Sequence, residues 1–391
     1  MAITIKKNRL YPLLKYPGGK EKELKYILPN LPDCIGNYYE PFVGGGAVYF
    51  AIDSQSYYIN DKSTELINLY KMIKEQNKEF FKKVTDIEHN WTILEDFISK
   101  HTEYLVETYF SFKNKMITDV EMSDDITEFI IQNADEFNGL LNRSFNIVID
   151  NFVSELMKSL KNKMNRMNKI EKEKGDLGLS DIISNIECAC KNAFYMHFRY
   201  LYNHIQELNI DTPFATAIYY FIREYCYSSM FRYNRSGQFN VPYGGISYNK
   251  KSLDKKIQYL KNDELTDQLR RTIINNEDFE IFFKMHEPKA DDFVFLDPPY
   301  DTEFSTYANN KFDKQDQERL SNFLIHKCKA NFMLIIKNTE FIRQLYPSDI
   351  KTVNNKRLYI SKFDKKYIVS FQDRNDKDAE HLLITNYPIS R

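Results

Sequence analysis

The residues best equipped for chemistry are Asp297, Pro298, Pro299 and Tyr300. They follow Phe293-Val294-Phe295-Leu296, an apolar run rich in aromatic and β-branched types that reads as a short buried strand. The two prolines stop the strand, fix φ and lack N–H groups, so the carbonyls around them are held outward. The set offers a carboxylate acceptor, a carbonyl acceptor and a flat ring. A planar exocyclic amine, with two N–H donors beside a ring, would use all three. In open α/β sheets the C-terminal strand end is where ligands bind. A strand that merely ends in a Pro-Pro turn accounts for the same residues, and context must separate the two readings.

Two glycine turns supply that context. Gly18-Gly19 precedes Lys20 and a helical pattern over residues 21–28. Open N–H groups and a lysine there suit a ligand carboxylate, although the spacing is not that of a P-loop. Residues 37–51 read as strand, glycine loop (Gly44, Gly45, Gly46) and helix, with Glu40 and Phe42 leading into the loop. A second strand, Tyr57 to Asn60, ends in Asp61, which lies 17 residues after Gly44. That is near the spacing at which a dinucleotide fold sets its ribose-binding acid. The loop reads F-x-G-G-G rather than G-x-G-x-x-G, so the pattern points to an adenosine-type cofactor other than NAD.

Further elements extend the sheet. Residues 271–279 read as a third strand ending in Asp278 and Phe279, 280–285 as a helix, 315–327 as a helix and 331–336 as a fifth strand. Residues 367–371 and 381–385 read as a closing strand pair. Strands alternating with helices give a doubly wound, mostly parallel sheet, and the late pair gives an added β-hairpin. Between the two halves the signal is helical: 68–81, 84–110 and 125–145. Leu156, Leu160, Met164 and Met167 mark one apolar helix face. Residues 158–174 carry seven Lys or Arg against two Glu, which suits either a solvated face or phosphate contact. Arg232, Tyr233, Asn234, Arg235, Gln238, Asn240 and Pro242 form a loop in which arginines alternate with aromatics and amides. Such groups contact phosphates, read base edges or wedge into a duplex, and a Tyr-rich surface hairpin is the plainer reading.

With 391 residues, 42% apolar and 28% charged, the composition is that of a globular chain with a substantial core. A net charge of −1 announces no polyanion partner, so any nucleic-acid surface is local. No apolar run reaches membrane-spanning length and the N-terminus lacks a signal-peptide pattern, so no membrane partner is expected. Five scattered cysteines show no metal-ligand spacing; they read as reduced thiols of a cytoplasmic protein, and no metal site is expected.

Six motifs occur in one order: Tyr16-Pro17-Gly18-Gly19-Lys20, Glu40-Pro41-Phe42-Val43-Gly44-Gly45-Gly46, Asn60-Asp61, the run from Arg235 to Gly244, Asp297-Pro298-Pro299-Tyr300, and the run from Glu380 to Tyr387. In these the chain resembles DNA adenine-N6 methyltransferases of the Dam class. Tyr16 stands where many members have Trp, and residues of about 75 to 215 find no counterpart in the short members. The resemblance implies the α/β fold of S-adenosylmethionine-dependent methyltransferases with a mainly helical insertion. Residues 1–75 and 270–391 would then form the catalytic domain and 76–269 the target-recognition domain. It implies S-adenosylmethionine as cofactor and double-stranded DNA as partner, with a restriction endonuclease acting on the same site as a candidate companion. By motif position, Tyr16, Lys20, Asp61 and Asp297 would contact the cofactor; Glu40, Phe42, Gly44 and Gly46 at the glycine loop, and Asp278 and Phe279 at the end of the third strand, are further candidate contacts. Asp297, Pro298, Pro299 and Tyr300 would be catalytic, and Arg232 to Pro242 would touch DNA. Another planar amine, on RNA or a protein glutamine, is the alternative acceptor; such enzymes usually carry Asn-Pro-Pro-Tyr, and Asp297 argues against them.

Overall fold

The computed structural model describes residues 4–5, 10–16, 18–140, 145, 147–299, 312–366 and 378–389. The chain divides into two compact units, Met1–Gln76 with Leu260–Arg391, and Asn77–Tyr259.

The first unit is built on a sheet of seven strands: β1 (Tyr38–Glu40), β2 (Tyr57–Asn60), β3 (Thr272–Asn275), β4 (Phe293–Leu296), β5 (Asn331–Lys337), β6 (Tyr359–Lys366) and β7 (Asp378–Thr385). They lie in the order β3-β2-β1-β4-β5-β7-β6. The first five are mutually parallel, β7 runs antiparallel to β5, and β6 and β7 form an antiparallel hairpin. Every residue of β4 is buried, as a strand covered on both faces requires. Consecutive tyrosines of β1 serve opposite faces. Tyr38 meets Tyr49, Tyr57 and Phe293 on one side, while Tyr39 stacks on Tyr58 at 4.5 Å on the other. A short antiparallel pair, Thr4–Ile5 with Ile52–Asp53, stands apart from this sheet.

The helices of this unit are α1 (Leu24–Ile27), α2 (Thr64–Lys74), α10 (Asp263–Arg270), α11 (Phe279–Met285), α12 (Lys314–His326) and α13 (Glu340–Leu345). Three expectations need correction. The glycine loop leads into one 3₁₀ turn, Tyr49–Ala51, rather than a helix, because Ile52 turns extended to pair with Ile5. The helix expected over 68–81 is broken: Gln76 takes a left-handed φ of 47° and the Asn77 side chain caps a new helix. Strand β3 stops at Asn275, and Asp278 caps α11 instead of ending a strand. The partner of β7 is residues 359–366; the strand expected at 367–371 lies outside the described residues.

The second unit is helical: α3 (Lys78–Lys113), α4 (Asp119–Gln132), α5 (Ala134–Leu140), α6 (Ile149–Lys174), α7 (Leu179–Asn203) and α8 (Thr212–Tyr225), then an irregular stretch and α9 (Asp254–Leu260). Leu156, Leu160, Met164 and Met167 are buried, as their spacing requires. Trp91 packs among Phe194, Phe221, Tyr225 and Tyr243 with ring centroids 4.5–5.9 Å away. The ammonium of buried Lys191 lies 4.8 Å over the Trp91 ring and pairs with Glu95 and Glu187.

Trp91 is the one tryptophan of the chain, so its emission reports on this unit alone. We expect a blue-shifted spectrum. Phe221→Ala should destabilise the urea transition followed at Trp91 by about 3–5 kcal/mol; an unmoved transition would contradict this packing.

Candidate active site

The parallel strands end along one edge, and strand order reverses between neighbours β1 and β4. That reversal opens a crevice at the carboxyl ends of the strands. On one side of it lies the loop after β1. Gly44 and Gly46 have φ of 48° and 79°. A Cβ on Gly46 would come within 2.5 Å of the Tyr70 hydroxyl and 2.8 Å of the Phe50 ring. A Cβ on Gly44 would meet the Tyr16 ring at 3.1 Å, so the first motif lies directly on the second. Asp61 accepts the Gly44 N–H at 3.0 Å and the Ser63 N–H at 2.9 Å. Tyr70 donates to the Gly44 carbonyl at 3.1 Å. Burial raises the Asp61 pKa against the opposing pull of these N–H groups.

On the other side, Asp297 is half-buried at the end of β4 and forms an ion pair with buried Lys20. The lysine also donates to the Gly18 carbonyl at 3.0 Å. Lys20, expected at a cofactor carboxylate, is thus already engaged with the strand-end acid. Gln317 of α12, fully buried, donates to the Pro299 carbonyl at 2.8 Å and holds the proline turn from behind. Pro17 and Tyr300 lie outside the described residues. Buried Glu40 accepts the Tyr38 hydroxyl at 2.6 Å. Burial drives its pKa well above the ordinary value, the Tyr38 bond opposes this, and the charge of Asp297 adds to the rise.

Along the same edge Phe42 packs against Phe279 and Phe312 at 5.8 and 5.5 Å. Asp278 caps α11 through the Glu280 N–H and pairs with Arg319 at 2.6 Å. Burial pushes the Asp278 pKa up, but the N–H and the guanidinium outweigh it and hold it below the usual value. Sequence reasoning missed Gln317 and Arg319, which have no motif around them. It also missed the role of Asn60, which donates to Pro41 and Glu277 carbonyls and accepts the Glu277 N–H, tying the ends of β1, β2 and β3 together. Among the described residues no group of three or more His, Cys, Asp or Glu could hold a metal ion, and no helix is long and apolar enough to cross a membrane.

In the helical unit, the stretch singled out by its arginines is a small hairpin. Tyr233 and Phe239 form an antiparallel bridge, and Asn234 accepts from the N–H groups of Ser236 and Gln238. Asn234 therefore builds the turn, and Arg232 donates to Asn240 at 3.0 Å. Arg235, exposed at the tip, makes no hydrogen bond or ion pair among the described residues. Three lysines of the basic helix have acidic partners: Lys158 with Glu155, Lys161 with Asp119 and Lys169 with Glu173.

The raised Glu40 pKa has a stability consequence. Between its unfolded and folded values the folded chain binds the extra proton, so stability falls as pH rises through that window. Glu40→Gln, which mimics the protonated acid, should flatten that part of the dependence. Urea midpoints of both proteins across a pH series measure it, and parallel curves would remove the effect.

Comparison with known proteins bears on the whole arrangement. The profile of the D12 class N6 adenine-specific DNA methyltransferases matches residues 16–175 and 164–359. The chain is 35% identical over 173 residues to the type II methyltransferase M.CviBI of Paramecium bursaria Chlorella virus NC1A, covering 43% of this chain and 60% of that protein. It is 26% identical over 395 residues to the type II methyltransferase M.MjaIII of Methanocaldococcus jannaschii, covering 96% of this chain and 99% of the relative. It is 24% identical over 358 residues to the DNA adenine methylase of Serratia marcescens, covering 88% of each. The near-complete match to M.MjaIII spans the helical segment between the two halves of the sheet unit. With the motif order, the reversed sheet and the acid–proline turn, these matches show that the chain belongs to the D12 class of N6 adenine-specific DNA methyltransferases.

Proposed function

We propose that the chain transfers the methyl group of S-adenosylmethionine to the N6 amine of an adenine turned out of double-stranded DNA. The observation that carries this reading is the Asp297-Pro298-Pro299 turn at the strand-order reversal, gripped by Lys20 on one side and Gln317 on the other. The crevice suits the cofactor: Gly44 and Gly46 leave the loop without side chains, the Phe42 and Phe279 rings offer an apolar wall, and the Asp61 carboxylate is an acceptor beside the loop. When bound there, S-adenosylmethionine supplies an electrophilic methyl group on a sulfonium.

The protein's part is to make a poor nucleophile competent. The adenine amine has its lone pair delocalised into the ring. Asp297 and the Pro298 carbonyl would accept its two hydrogens, favour a tetrahedral nitrogen and hold the lone pair in line. This is positioning plus electrostatic stabilisation. Lys20 keeps the Asp297 carboxylate oriented, and Tyr300 would stack on the base. A base inside a duplex cannot reach such a pocket, so flipping is part of the reaction. Arg235, at the tip of the hairpin, would contact DNA. A cytoplasmic location suits that substrate, and the type II names of the viral and archaeal relatives support a companion endonuclease of the same specificity.

Two outcomes test the reading. Asp297→Ala should abolish methyl transfer, and Asp297→Asn, which keeps an acceptor oxygen but not the charge, should slow the single-turnover step by about 10²-fold or more. Both should still bind DNA. A wild-type rate in a folded Asp297→Ala protein would remove the amine-acceptor mechanism. Asp61→Ala should weaken cofactor binding by about 1–3 kcal/mol, since it strands the Gly44 and Ser63 N–H groups and loosens the loop; calorimetry showing unchanged affinity would end that assignment.

A further inference from the structure

One face of α7 is fitted to the Arg235 hairpin. Tyr195, Arg199, Tyr202 and Asn203 recur at the spacing of a single helix face. Tyr195 and Arg199 both donate to the Val241 carbonyl, at 2.8 and 3.2 Å. The hydroxyls of Tyr202 and Tyr233 are 3.0 Å apart. Asn203 does more. Its amide nitrogen donates to the Phe239 carbonyl at 3.0 Å, and its oxygen accepts the Phe239 N–H at 2.8 Å. The side chain thus completes both backbone bonds of Phe239 as a neighbouring strand would. Phe239 is buried and is the bridge partner of Tyr233, so fixing it to α7 fixes the seat of the turn whose tip carries Arg235. The turn residues themselves are exposed and tied mostly to one another. Its own backbone bonds, Asn234 N–H to the Gln238 carbonyl at 2.8 Å and Asn240 N–H to the Arg232 carbonyl at 3.1 Å, hold the turn together but do not seat it on α7.

We propose that Asn203, at the end of a helix of the insertion, is a positioning residue for target selection: it fixes the seat from which the hairpin offers Arg235 to DNA. The inference rests on the reading of that hairpin as a DNA contact. It gives the helical insertion a function, that of a rigid mount for a short recognition element. A side chain held this way loses little entropy on binding, and a misplaced arginine cannot tell one base edge from another.

The test uses full-length Asn203→Ala, Asn203→Asp, Tyr202→Phe and Arg235→Ala proteins acting on genomic DNA that lacks adenine methylation, with methylated positions read by sequencing. Asn203→Ala should broaden the sequence context of the methylated adenines and raise KM for DNA by roughly tenfold, the loss of two hydrogen bonds to buried backbone. The kcat at saturating DNA and the affinity for S-adenosylmethionine should change little. Asn203→Asp, which keeps the acceptor for the Phe239 N–H, should fall between. An unchanged context and KM in Asn203→Ala, or a loss of kcat alone, would overturn the inference. If Arg235→Ala is altered while Asn203→Ala is not, only the positioning role fails; if neither is altered, the hairpin is no DNA contact and both readings fail. Should Asn203→Ala not fold, as Trp91 emission would show, Tyr202→Phe decides in its place, since it deletes one hydroxyl contact to the hairpin.

Discussion

The Lys20–Asp297 pair is the constraint on which the rest of the catalytic unit turns. Lys20 is 3% exposed and Asp297 20%, so both charges have surrendered most of their water. Each would cost several kcal/mol alone, and together they persist because each is the other's partner and Gly18 takes a further lysine hydrogen. The pair joins the first glycine turn of the chain to the end of its fourth sheet strand. Neither the turn nor the strand end could be fixed in this position by local sequence. Glu40 stands in the field of both charges. A second carboxylate charge there would compete for Lys20, and burial avoids this by favouring the protonated form of Glu40.

The same logic explains how one unit can be made from two distant stretches of chain. The path leaves it after Gln76 and returns at Leu260. Gln76 itself donates to the Leu260 carbonyl at 3.2 Å and to the Thr266 hydroxyl at 3.1 Å. Exit and re-entry are thus stapled side by side. Closing a long excursion costs only slowly more entropy as it lengthens. The insertion can therefore be large without loosening the sheet, provided its two ends remain tied.

Much of this was legible in the sequence. Strands β1, β2, β4 and β5 announced themselves as apolar and aromatic runs, and the glycine loop, Asp61 and Asp297 fell at strand ends as expected. Reading failed where tertiary contact overrode local pattern. Within residues 68–81 the cap residue Asn77 is a local sign of a break, but the left-handed Gln76 is held by bonds to distant Leu260 and Thr266 as well as to nearby Ile73. Asp278 looked like a strand-end acid, but an Asp two residues before an acidic first turn also reads as a helix cap, and Arg319 was needed to choose. Gln317 and Asn203 carry no signal at all. Each acts through one or two bonds to backbone far away in the chain, and a lone amide in an amphipathic helix looks the same whether it meets solvent or a hairpin.

Charge gives the last step. A chain with net charge −1 cannot gather DNA by a general field. Its most basic helix, α6, spends several lysines on acids of its own surroundings. Arg235 is exposed and without a partner among the described residues. Where no general field gathers the duplex, more of the discrimination must come from where each contacting group stands. A protein so arranged gains more from a rigid mount than from additional positive charge. The face of α7, which binds Val241, Tyr233 and both backbone groups of Phe239, is built as such a mount.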